Sequence, residues 1–201
     1  MSKILLISLM FINSTVFAQQ FRGGILFGLN ASQVDGDTWA GYTKFGFAIG
    51  AYVYRPISKI ADVQLEIKYM GKGANNGSSA NTIQYTNQLN YIEIPVILRL
   101  KTNTKIDLEG GLGYGYLFNN TIKDSYGSEV RTDLFKTSDF LFLAGIKYNA
   151  SNKLAVTMRF SYSLLNIREG LPNTAGFRNG GAFNNILSIG LCYAINSNQK
   201  P

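Results

Sequence analysis

Four carboxylates, Glu66, Glu93, Asp107 and Glu109, lie inside otherwise apolar blocks of the sequence, as do four cations, Lys68, Arg99, Lys147 and Arg159. Carboxylates in such surroundings are the material of general acid–base chemistry. They are equally the material of a buried ion-pair network, because a charge removed from water needs a partner. The rest of the sequence points to the network. It contains no His, which removes Ser-His-Asp and Cys-His catalysis, imidazole metal sites and histidine-dependent lipid hydrolysis. Glycines between Gly110 and Gly115 suggest a phosphate-cradling loop, but no Lys-Ser or Lys-Thr follows them and they alternate with apolar residues as a strand does. Cys192 is the single cysteine, so no intramolecular disulfide is available and a small buried filler is its expected role. The eight charged residues are therefore expected to form a structural polar network, with no catalytic, cofactor-binding or metal-binding residue.

The elements that position these residues are strands. In Val63-Gln64-Leu65-Glu66-Ile67-Lys68-Tyr69 the odd positions are apolar and the even ones polar. From Ile92 to Lys101 the parity reverses, with Ile92, Ile94, Val96, Leu98 and Leu100 on one face and Glu93 and Arg99 on the other. Ile106 to Phe118, Leu154 to Tyr162 and Leu187 to Ile195 repeat the pattern. A period of two is the signature of a strand with two unlike faces. Such blocks fall at 20–30, 43–55, 61–72, 88–101, 104–118, 137–148, 152–166 and 183–195. Each suffices to cross a bilayer at the usual tilt, which takes roughly 9–11 residues. Tight turns after Arg55, Lys101 and Asn149 alternate with longer polar stretches around 31–42, 73–87, 119–136 and 167–182. This is the layout of an all-β, eight-stranded antiparallel up-and-down transmembrane β-barrel with short periplasmic turns, long extracellular loops and both termini in the periplasm. A soluble barrel would alternate too, but the face bearing small and charged groups would underpack its core.

The composition agrees. Charged residues make up 15% of the 201 residues, below the roughly 25% of soluble domains. Lys3, the apolar run from Ile4 to Ile12 and the small residues of Val16-Phe17-Ala18 read as an export signal cleaved after Ala18. The expected organisation is thus a signal peptide over 1–18 and one barrel domain over 19–201. Outward aromatics sort into two levels, with Phe45, Tyr69, Tyr116, Phe118 and Tyr162 near one rim and Phe21, Tyr148 and Tyr193 near the other, as interfacial girdles should.

Tyr91-Ile92-Glu93-Ile94-Pro95 followed by Val96-Ile97-Leu98-Arg99-Leu100 resembles the fourth-strand signature of the PorT-like outer-membrane β-barrel family of Bacteroidetes. The glycine-rich run Glu109 to Gly115 and the run Arg159 to Ile167 carry the same resemblance. It implies outer-membrane location, with lipid, lipopolysaccharide and the barrel-assembly machinery as partners. It does not imply nucleic-acid binding, and a secretion role known for the founding member is not carried over. Ser188, Gly190, Tyr193 and Ile195 also resemble a barrel assembly signal, departing from it in the polar tail Asn196 to Pro201. The expected function is a structural or interaction role through the extracellular loops around a narrow, side-chain-filled lumen, with no enzymatic activity. A barrel binding or transporting a small or apolar ligand, or a secretion component, is the alternative.

Overall fold

The computed structural model describes residues 21–36, 41–76, 85–102, 104–124, 126, 128–131, 134–169 and 181–195. The export signal with its cleavage residue Ala18, and the tail 196–201, lie outside the described residues.

The strands are β1 (Arg22–Asp35), β2 (Lys44–Pro56), β3 (Ala61–Asn75), β4 (Tyr85–Lys101), β5 (Ile106–Asp124), β6 (Glu129–Arg131), β7 (Ser138–Asn149), β8 (Leu154–Ser163) and β9 (Phe183–Ala194). Every pairing is antiparallel, β1 joins β9, and β4 pairs with β5, so eight long strands close into a barrel. Short β6 hangs on the far end of β5. Closure leaves no unpaired edge within the ring, the condition for a sheet in hydrocarbon.

The apolar face points outward. Leu112 is 63% exposed and Met158 57%, while Glu109 and Thr157 on the same strands are 5% exposed. A soluble barrel would reverse these figures. Phe47 and Tyr69 pack with ring centroids 4.9 Å apart, and Tyr69 and Phe118 at 6.2 Å, at the end of the barrel that carries the long connections. Phe21, Tyr148 and Tyr193 are outward at the opposite end, where Phe21 receives Arg55 on its face.

The loop end is more structured than alternation alone suggests. β1 runs on to Asp35, and β4 and β5 include 85–87 and 119–124, within stretches expected to be loop. Ladder hydrogen bonds stabilise polar strand residues as well as apolar ones, so these strands outrun the apolar belt. Gly73 makes one such extension possible. Its φ of +141° is unfavourable for other residues, and a Cβ there would lie 1.9 Å from the Asn87 carbonyl oxygen. β8 is shorter than expected and ends at Ser163. The chain then turns inward, with Ile167 N–H donating to Ala182 O and Lys136 N–H donating to Ile167 O. Phe135 and Ile167 join Val34, Ala74, Leu89, Tyr91, Leu117 and Ala182 in an apolar cluster that caps the lumen. Lys136 fastens the cap outside by pairing with Glu169 at 2.5 Å, and its ammonium holds the Glu169 carboxyl below the usual carboxylate range.

Candidate functional site

Below the cap the described residues place eleven buried charged side chains in the lumen, six carboxylates and five cations. All eight sequence-derived residues are among them, none more than 7% exposed. Three more, Asp62, Lys72 and Asp139, complete the set. Parity could have found these three, since even positions of β3 and odd positions of β7 face inward.

The network is continuous along the axis. At the turn end Arg99 and Asp62, directly opposite across β3 and β4, are ion-paired, and Lys101 Nζ approaches Asp62 at 2.8 Å. Arg99 also donates to Gln64, and the Gln64 amide donates to Glu66 at 2.6 Å. Glu66 accepts from Arg159 Nη1 at 2.9 and 3.0 Å, and Arg159 Nε donates to Glu109 at 2.7 Å. β3 and β8 stand four strands apart in either direction around the ring, so the Glu66–Arg159 pair spans the full width of the lumen. Lys68 bridges Glu66 and Glu93, each at 3.5 Å. Lys72 lies 2.5 Å from Glu93 and 3.0 Å from Asp139, and Asn184 donates to Asp139 at 2.8 Å. Lys147 is the exception. Among the described residues no carboxylate lies within ion-pair distance of it, and its ammonium sits 5.5 Å from the centre of the Tyr52 ring.

Two expected pairings require correction. A hairpin centred on Asn103 sets Arg99 opposite Asp107, whereas the observed ladder sets Arg99 opposite Glu109 and Lys101 opposite Asp107. The cause lies in the turn. The Thr102 hydroxyl bonds the Ile106 carbonyl and the Thr104 hydroxyl, and Thr104 accepts from Ile106 N–H. These bonds move the centre of the turn by one residue and the register by two. Parity survives such a shift, so both residues still face inward. Arg99 and Asp107 remain 4.0 Å apart on the diagonal, but Asp62 is the closer partner of Arg99.

The same shift sets Glu93 opposite Gly115 and Tyr91 opposite Leu117, where a hairpin centred on Asn103 would set Gly113 and Gly115. The Tyr91 ring nevertheless lies over Gly115 on the diagonal, where an added Cβ would stand 3.2 Å from Tyr91 Cδ1. Tyr91 has little room to yield. It is fully buried, its hydroxyl accepts from Asn184, and Lys72 lies over its ring. We expect Gly115→Val to overpack this contact and destabilise by about 1–3 kcal/mol. Tyr91→Ala in the same chain should recover part of that loss in a double-mutant cycle of thermal midpoints. Additive effects would show that the contact carries no strain.

An outward apolar belt around a charge-filled interior inverts the soluble pattern and is what a membrane-spanning barrel needs. The family of outer membrane protein beta-barrel domains matches residues 17–169. The chain belongs to that family. It is an outer-membrane β-barrel. Solved structures agree on the fold. Two crystal structures of Ail, the attachment invasion locus protein of Yersinia pestis, superpose with TM-scores of 0.52 and 0.53 at 14% identity, covering 88% of this chain and 99% of that one. Neisserial surface protein A gives 0.50 at 13% identity, covering 87% and 96%. No curated protein matches the chain in sequence.

Proposed function

We propose that this outer-membrane barrel is a closed membrane anchor without enzymatic activity, which works through the surface at its loop end. The observation that carries the reading is the Glu66–Arg159–Glu109 bridge, which crosses the lumen at 2.7–3.0 Å beneath an apolar cap. An interior of eight strands has room for side chains or one small ligand, and here side chains fill the middle. Above the belt, β4 and β5 each continue for six mostly polar residues, 85–90 and 119–124, with β6 appended. At roughly 3.3 Å per residue this wall stands well clear of the lipid and offers hydrogen-bonding surface to a partner.

On this reading the short turns face the periplasm, the signal is cleaved after Ala18, the barrel-assembly machinery inserts the chain, and the loop end meets lipopolysaccharide. The PorT-like resemblance, its Bacteroidetes origin and any part in secretion rest on the strand motifs alone. Planar-bilayer recording tests closure. The purified chain should give no steady conductance, and Glu66→Ala with Arg159→Ala should open measurable current. A stable channel in the unaltered chain would overturn the reading. Orientation is tested separately by an impermeant maleimide on intact cells, which should label Lys123→Cys and spare Ser151→Cys.

A further inference from the structure

At the turn end the lumen widens into a cavity of about 460 Å³, within the range of small-molecule sites, roughly 300–1,000 Å³. Six cations line it, Arg22, Arg99, Lys101, Lys105, Lys147 and Lys153, against only two carboxylates, Asp62 and Asp107. Both carboxylates are already engaged. Asp62 is held by Arg99 and Lys101, and Asp107 accepts from Asn149 at 2.9 Å. Cations thus outnumber carboxylates in the lining of the cavity.

Lys147 gives the excess a focus. It is only 5% exposed. It stands opposite Asp107 in the β5–β7 ladder, yet the Asp107 carboxylate is taken by Asn149 and Arg99. Among the described residues Lys147 makes no ion pair, and its contact is with the face of Tyr52. An ammonium buried without a counter-charge is unfavourable by itself, and an anion entering a site of lowered dielectric gains more from it than from a surface lysine. Among the described residues, the other four buried cations, Lys68, Lys72, Arg99 and Arg159, each pair with a carboxylate.

We propose that this turn-end cavity is a binding site for a phosphate-bearing molecule, with the Lys147 ammonium at its floor and Arg99, Lys101, Lys105 and Lys153 around its mouth. A phosphate group supplies several acceptor oxygens and more than one negative charge, which suits a net positive site rich in N–H donors. The two sources are a soluble phosphate ester and the headgroup of an anionic phospholipid, which share that chemistry.

The test uses the full chain folded in a non-ionic maltoside micelle, titrated calorimetrically with pyrophosphate. Binding should saturate at one site and weaken as salt is raised. Lys147→Gln should lower affinity by about tenfold or more, Lys147→Arg should retain it, and Lys59→Gln, a turn cation outside the cavity, should leave it unchanged. Heat-modifiable migration on gels verifies that each variant is folded. In nanodiscs containing phosphatidylglycerol, weakened pyrophosphate binding assigns the site to lipid headgroups, and unweakened binding assigns it to soluble phosphates. Absence of saturable binding, or equal losses in Lys59→Gln and Lys147→Gln, would overturn the proposal.

Discussion

Arg159→Met is expected to destabilise the folded barrel by about 3–5 kcal/mol, the range for removing one partner of a buried ion pair. The substitution keeps most of the side-chain volume, so packing contributes little to the loss. What it removes is the guanidinium that binds Glu66 with one nitrogen and Glu109 with another. Both carboxylates are almost fully buried. Lys68 approaches Glu66 at 3.5 Å and would compensate in part, whereas no other cation lies within ion-pair distance of Glu109 among the described residues. Adding Glu109→Gln to Arg159→Met should therefore recover a sizeable part of the loss, because an amide tolerates burial where a lone carboxylate does not. The measurement is urea unfolding in phospholipid vesicles, followed by the folded and unfolded gel bands. A loss below about 1 kcal/mol would mean that the lumen admits enough water to solvate these groups. Asp62→Ala should likewise exceed Asp107→Ala, since Asp62 holds two cations closely and Asp107 is the distant partner of Arg99.

The second large effect is on the lipid face. Leu112→Arg should cost roughly 2–4 kcal/mol, and Leu108→Arg much less, near the 0–1 found toward a rim. Leu108 stands two residues from the start of β5, at the turn end of the apolar stretch from Ile106 to Phe118. Leu112 is the centre of that stretch and the more exposed of the two. The guanidinium at Leu108 can reach the interface along its own aliphatic stem, and from Leu112 it cannot without thinning the bilayer. The same unfolding assay compares the two variants directly. Equal effects would place the midplane closer to the turns than the apolar belt indicates.

The sequence by itself determined which way each of the charged side chains faces. Facing depends on parity along one strand, a local property that any hydrophobic pattern of period two reveals. It also determined the number of long strands and the alternation of short and long connections, because both are written in composition along the chain. Glu66, Lys68, Glu93, Arg99, Asp107, Glu109, Lys147 and Arg159 were thus legible as one inward set, and Asp62, Lys72 and Asp139 could have been added by extending the count. Their partners were not legible. Arg159 meets Glu66 from the opposite wall, ninety-three residues away, and only the circumference of the closed ring brings the two within reach. The register of β4 against β5 hung on two threonine hydroxyls in a four-residue connection, too small a signal to read from side-chain types. The cap of Phe135 and Ile167, and Lys147 at the floor of the turn-end cavity with no ion pair among the described residues, follow from that same closure. Which buried charges find a counter-charge depends on distances across the lumen, and those exist only once eight strands have closed.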